Sequence, residues 1–163
     1  MRHSIQQRKQ EGFTIIEVLI VLAIAGLILL IVFLAVPALQ RSSRNTSRRN
    51  DVASILGAVS EYTNNTNGTF PASGTVSSAF STAQPSLGYY TTPANVTWVN
   101  QSSAIAPLDP GDLDKVVVAN YAKCNAAGTA AVTQGATTRS VVAVYDVEGS
   151  GGAKVAQCKE SGA

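Results

Sequence analysis

From Phe13 to Leu39 the chain reads F-T-I-I-E-V-L-I-V-L-A-I-A-G-L-I-L-L-I-V-F-L-A-V-P-A-L, with Glu17 as its one ionisable residue. As α-helix, at 1.5 Å per residue, this is about 40 Å long, more than the ~30 Å of a bilayer hydrocarbon core. The segment is a transmembrane candidate. The apolar region of a cleavable secretory signal covers about 7 to 15 residues and ends in a small-x-small site. Here the run is too long, and Pro37 falls inside Leu34 to Ala38, where a signal peptidase would have to cut.

Glu17 is the anomaly, because an acidic side chain in a membrane helix costs roughly 2.5 to 3.5 kcal/mol and marks a site with a partner. No basic residue shares its helical face nearby. It is either an interfacial, solvated carboxylate near the start of the stretch, or a charge that awaits a cation from another molecule.

The rest of the composition narrows the chemistry. Of twelve basic and ten acidic residues, Arg2, Arg8, Lys9 and Glu11 lie in the first twelve positions, leaving nine of each sign. That balance gives no nucleic-acid footprint. The one histidine is His3, which removes the usual zinc donors, and no cofactor is expected. Cys124 and Cys158 are the two cysteines; beyond a membrane-crossing segment they read as one disulfide, with two unpaired buried thiols as the alternative.

The string Lys9-Gln10-Glu11-Gly12-Phe13-Thr14-Ile15-Ile16-Glu17 resembles the processing motif of type IV prepilins: a short basic leader ending in glycine, an aromatic, and a glutamate fifth from the new end. Thr14 and Gly26 also match residues common there. The resemblance covers about residues 8 to 40. It implies that a membrane-embedded prepilin peptidase cuts between Gly12 and Phe13 on the cytoplasmic side and methylates the Phe13 amine. Cleavage ahead of the apolar run leaves the anchor attached. It also implies a partner for Glu17, the Phe13 amine of an adjacent subunit, since opposite charges in a low-dielectric setting attract strongly and either alone is penalised.

Beyond Leu39 a polar stretch carries Arg41, Arg44, Arg48 and Arg49, after which Val52, Ile55, Leu56, Val59 and Tyr62 recur with helical spacing. The pattern predicts one helix over 13–62, apolar in its first half and amphipathic in its second, with Pro37 as a helix break. The arginines oppose the usual positive-inside bias, whereas the resemblance implies that they lie outside and the leader inside. They read as a solvated helix face, or else as a contact to another subunit or an anionic surface. Turn signals fill 63–93. Asn45, Asn64, Asn67, Asn95 and Asn100 begin N-x-Ser/Thr triplets, which arise readily by chance in a chain this rich in those residues.

Strand patterns occupy Val96 to Val99, Lys115 to Tyr121, Ser140 to Val147 and Ala153 to Lys159, with Glu148-Gly-Ser-Gly-Gly152 as a hairpin turn. The expected class is α+β and pilin-like, the helix packing on a C-terminal antiparallel sheet of about three to four strands. Its organisation would be a removed leader (1–12), a transmembrane and filament-core helix (13–39), its amphipathic continuation (40–62), a connecting loop (63–93) and a sheet domain (94–163). Cys124 and Cys158 resemble the disulfide-bounded C-terminal region of many pilins. Asp109, Asp112 and Asp114 form the one acidic cluster; a solvated turn is favoured over a calcium site there, because the spacing follows no established ligand pattern.

The resemblance implies a structural subunit and no enzyme, a major pilin of a type IV pilus with adhesion among its roles. Such a subunit is a single-pass membrane precursor and then an extracellular filament. Its partners would be itself, the prepilin peptidase, an assembly platform in the inner or cytoplasmic membrane, and lipid before assembly. A minor pilin, or a pseudopilin of type II secretion or competence, would share the motif. A membrane-tethered extracellular binding module is the reading from another class, and the mature chain has no histidine, phosphate loop or G-x-S-x-G to support an enzyme.

Overall fold

The computed structural model describes residues 12–72, 74–75, 87–90, 95–100, 111–133 and 136–162. The leader up to Glu11, with its expected basic cluster, and Asp109 lie outside the described residues. The chain divides into two compact units, Met1–Gln40 and Arg41–Ala163.

Helix α1 runs over Ile15–Asn65 with Pro37 inside it. In the first unit the helix is made of Ile, Leu, Val and Ala, good helix formers or β-branched residues that lipid or a neighbour can pack. In the second unit α1 shows the expected stripe: Val52, Ile55, Leu56 and Val59 are buried and Tyr62 is half-buried. Beyond the last turn Asn67 and Gly68 take left-handed φ values of 53° and 86°. The Gly68 N–H returns to the Thr63 carbonyl (2.8 Å) and the Thr66 N–H to that of Tyr62 (3.0 Å), so the helix end is capped.

The main sheet contains β1 (Gly74–Thr75), β2 (Val96–Val99), β3 (Val116–Asn120), β6 (Val141–Glu148) and β7 (Lys154–Glu160), in that spatial order, while β4 (Lys123–Cys124) and β5 (Ala131–Val132) form a separate two-stranded ribbon. The α+β class and all four expected strands are present. The sheet is nevertheless mixed, because β2 and β3 pair in parallel, Val96 opposite Val116. Sixteen residues, 100–115, separate those strands, enough for a crossover connection, whereas a tight hairpin would have forced antiparallel pairing. β3–β6 and β6–β7 are antiparallel.

A second feature concerns β6. Seven of its eight residues are buried. Val141, Ala143, Tyr145 and Val147 face the core that includes the α1 stripe, while Val142 and Val144 join Ala119, Ala122 and Ala131 under the β4–β5 ribbon. A strand covered on both faces needs apolar side chains at successive positions rather than alternate ones, and V-V-A-V-Y supplies them, with Asp146 as the buried polar exception before Val147.

The β6–β7 turn depends on glycine. Gly151 and Gly152 have φ of 69° and 82°, and a Cβ on Gly149 would lie 2.9 Å from Val155 Cγ2. Cys124 of β4 and Cys158 of β7 are disulfide-bonded, tying the ribbon to the sheet edge, where the Cys158 N–H also donates to the Gly128 carbonyl (2.8 Å). Free-thiol labelling of the denatured, unreduced protein should find no thiol. Removing the bridge in a Cys124→Ser/Cys158→Ser double variant should cost about 3 to 4 kcal/mol in denaturant unfolding, as expected for a loop of 34 residues.

Candidate processing and assembly site

Gly12, Phe13 and Thr14 precede the helix in non-helical, exposed backbone. Nothing lies within 4 Å of a Cβ built on Gly12, so the fold makes no demand for glycine there. Phe13 is 89% exposed. The Gly12–Phe13 bond is therefore an accessible peptide link immediately ahead of an apolar rod.

Glu17 is engaged locally. Its Oε2 accepts from the Thr14 N–H (2.8 Å) and from the Thr14 hydroxyl (2.7 Å), and the Glu17 N–H lies 3.4 Å from Thr14 Oγ1. This is a reciprocal capping box, in which residues three apart satisfy each other's groups at a helix start. The carboxylate also lies where the helix macrodipole favours negative charge. T-x-x-E before an apolar run is the signature of this role, which weighing Glu17 as a membrane charge alone passes over. Both Thr14 bonds fall on Oε2, and among the described residues nothing donates to Oε1.

Every described side chain from Phe13 to Leu39 is exposed, and α1 contains the one described stretch long and apolar enough to cross a membrane, with a mean hydropathy of 3.4. Apolar area on this scale needs a cover, either lipid or other protein chains.

In the second unit Arg41, Arg44 and Arg48 fasten the helix, although Arg44 is exposed, and Arg49 is an exposed side chain that donates to Gln157 (3.2 Å). Arg41 donates to the Gly149 carbonyl (3.2 Å). Arg44 grips Glu148 with two parallel bonds, 2.8 and 2.6 Å. Asn45 gives its amide N–H to the Glu148 carbonyl and takes the Glu148 N–H on Oδ1, both at 2.9 Å. Arg48, its side chain 1% exposed, donates to Glu148 Oε1 (3.1 Å), to Asn45 Oδ1 (3.0 Å) and to the Tyr89 hydroxyl, and its guanidinium lies 4.1 Å from the Tyr89 ring centroid. One turn on, Asp51 accepts three backbone N–H groups, from Gly88 (2.9 Å), Tyr89 (2.6 Å) and Tyr90 (2.8 Å). These side chains hold the hairpin and the 88–90 segment against α1. Side chains at 41, 44, 45 and 48 share one helix face; what the sequence does not reveal is their acceptor, a hundred or more residues on.

Of the acidic cluster, Asp112 and Asp114 are described and Asp109 is not. Asp114 accepts from the Tyr89 hydroxyl (2.7 Å) and Asp112 from the Asp114 N–H (3.3 Å), and no group of three potential metal ligands occurs among the described residues. Of the N-x-Ser/Thr triplets, Asn45 is committed to Glu148 and Asn100 accepts from Asn120 (2.8 Å).

An exposed apolar helix behind an open Gly-Phe bond, a glutamate at its first turn and an α+β unit held by a disulfide fit a type IV pilin-like prepilin, a membrane-anchored precursor of the pilin or pseudopilin type. Residues 7–33 match the family model described as the prokaryotic N-terminal methylation motif. No curated protein and no solved structure matches the chain.

The hydrogen bond from Arg44, joined by that from Arg48, lowers the Glu148 carboxyl from its ordinary value of 4.5 to about 2. A carboxylate whose pKa falls on folding adds stability above its unfolded value. Glu148's share should be complete above about pH 5 and be lost as pH falls from about 4.5 towards 2, a slope that Glu148→Gln should flatten in thermal unfolding. Arg48→Ala, which breaks a buried pair, should cost about 3 to 5 kcal/mol. Arg44→Ala, with a side chain 44% exposed, should cost about 1 kcal/mol or less.

Proposed function

We propose that this chain is the precursor of a filament subunit, the major pilin of a type IV pilus, cut between Gly12 and Phe13 by a prepilin peptidase and methylated on the Phe13 amine. The single observation that carries this reading is Glu17, the one ionisable residue of an exposed apolar span, four positions from Phe13 and with one carboxylate oxygen that accepts from no described residue. In the lipid-held monomer the Thr14 bonds reduce the cost of that charge. On assembly the Phe13 ammonium of a neighbouring copy takes the free oxygen, and the pair favours the one register in which both charges are matched. The apolar helices then cover each other in place of lipid, and Pro37, which leaves the Phe33 carbonyl without its helical partner, gives the rod a point of bending. An assembly platform in the membrane supplies the subunits, and the product is an extracellular filament with adhesion among its roles.

A minor pilin or a pseudopilin shares the same N-terminus, and abundance separates the readings: a major pilin dominates filaments sheared from the cell surface. Mass spectrometry of such material should give a subunit starting at Phe13 with one added methyl group. A subunit starting near Ala38 would overturn the proposal. Glu17→Ala should insert and be processed normally, since it makes the helix more apolar and leaves the cut site intact, yet filament number should fall by an order of magnitude or more, as expected for loss of several kcal/mol of pairing. Gly12→Val, which the fold accommodates, should accumulate uncut precursor and give no filaments. Filaments in normal number from Glu17→Ala cells would sink the charge-pair mechanism.

A further inference from the structure

We propose that the second unit binds an acidic saccharide in a cleft at the end of α1, with Tyr121 stacking on the sugar ring and Arg139 holding its carboxylate. The last turn of α1, the turn at 66–68, the residue after β3 and the segment before β6 enclose an open cleft of about 450 Å³. A neighbouring hollow of about 380 Å³ shares Arg139 and Asn64 and adds Phe70 and Ser60. Together they offer room for two or more sugar units, within the usual range of ligand sites.

Three observations on this cleft are independent of one another. Arg139 is exposed and makes one long contact, Nη2 to Asn64 Oδ1 at 3.4 Å; no carboxylate pairs with it among the described residues. A guanidinium in that state presents a free planar fork, matched in shape to a carboxylate. Tyr121 is the second. It takes φ of 53°, a left-handed conformation that few residues without a short polar side chain adopt, and its partly exposed ring is held edge-on by Phe70, centroids 5.6 Å apart. Strain of this kind persists where the surroundings enforce it and clusters at ligand sites. Third, Asn64 and Asn67 bring carboxamides to the same cleft, each able to donate to one hydroxyl and accept from another.

The ligand class follows from this set. A flat aromatic wall suits the C–H face of a pyranose, paired amides suit vicinal hydroxyls, and one monovalent cation suits one carboxylate, so a uronic acid fits all three. A phosphate would call for a denser set of N–H donors than this cleft has. The competing role for Arg139 is structural, as a cation beside the carbonyl end of α1, but the Tyr62 and Thr63 carbonyls are already taken by the Thr66 and Gly68 N–H groups.

The probes are an oligogalacturonate trimer and a neutral galactose trimer, titrated calorimetrically into the full-length protein in detergent micelles. The uronate should bind, the neutral trimer at least about tenfold more weakly. Arg139→Gln should weaken uronate binding about tenfold or more, the scale of losing a charge-assisted bidentate contact. Tyr121→Asn, which tolerates the left-handed conformation, should do the same, and both variants should melt within a degree or two of wild type. No uronate binding, equal binding of the two trimers, or full uronate affinity in Arg139→Gln would overturn the proposal. A lowered melting temperature in Arg139→Gln with uronate affinity retained would assign the arginine to the helix end instead. The titrations use unassembled protein, so they are independent of whether Glu17 drives filament formation.

Discussion

The first half of α1 and the two residues ahead of it carry, from Phe13 to Leu39, apolar side chains that find no cover among the described residues. Removing such a surface from water is the dominant favourable force open to a protein of this size, so the segment needs lipid or other protein chains as a cover. Everything polar nearby is arranged around that demand. Thr14 satisfies one oxygen of Glu17, and among the described residues nothing donates to the other. On the function proposed above, in which the helix passes from lipid into a filament, a single pairable charge is the smallest device that distinguishes a correct neighbour from lipid.

The second unit meets a different problem, that of fastening a helix to a sheet across a boundary rich in charge. The apolar stripe of Val52, Ile55, Leu56 and Val59 supplies the burial, but non-directional burial does not fix how a helix is rotated or slid along the sheet. Arg44, Asn45 and Arg48 on the β6–β7 hairpin, and Asp51 on three consecutive backbone N–H groups, do fix it. Buried polar groups left unpaired are costly, so any slip of one turn would strand Arg48 or Asp51. The disulfide closes the other side, pinning the β4–β5 ribbon over the outer face of β6.

Much of this is legible in the chain. The helix stripe can be read because it obeys a period that one face of a helix imposes, and the four strands because their apolar runs are bounded by turn residues. The parallel pairing of β2 with β3 cannot be read, since strand order depends on where a sixteen-residue connection leads and not on any local preference. The double burial of β6 is half legible: Val141 to Val147 is a nearly continuous apolar run, but the ribbon that covers its second face comes from elsewhere in the chain. The Thr14–Glu17 capping box is fully legible in T-x-x-E, and is hidden only by the louder signal of a carboxylate inside an apolar span.

Local sequence dictates the properties that act over a few residues or over a single helix: the apolar span, the charge within it, the Gly12–Phe13 junction, the amphipathic stripe and the glycines of the last hairpin. Each follows from local sterics, spacing or transfer from water. Docking of separate elements settles which acceptor meets Arg48, which backbone meets Asp51, which sheet face the Cys124 ribbon covers, and that Tyr121 and Arg139 share one cleft. Those pairings join residues far apart in the chain. Spacing along a sequence cannot encode them, because they depend on how helix, sheet and ribbon come together to bury their apolar faces.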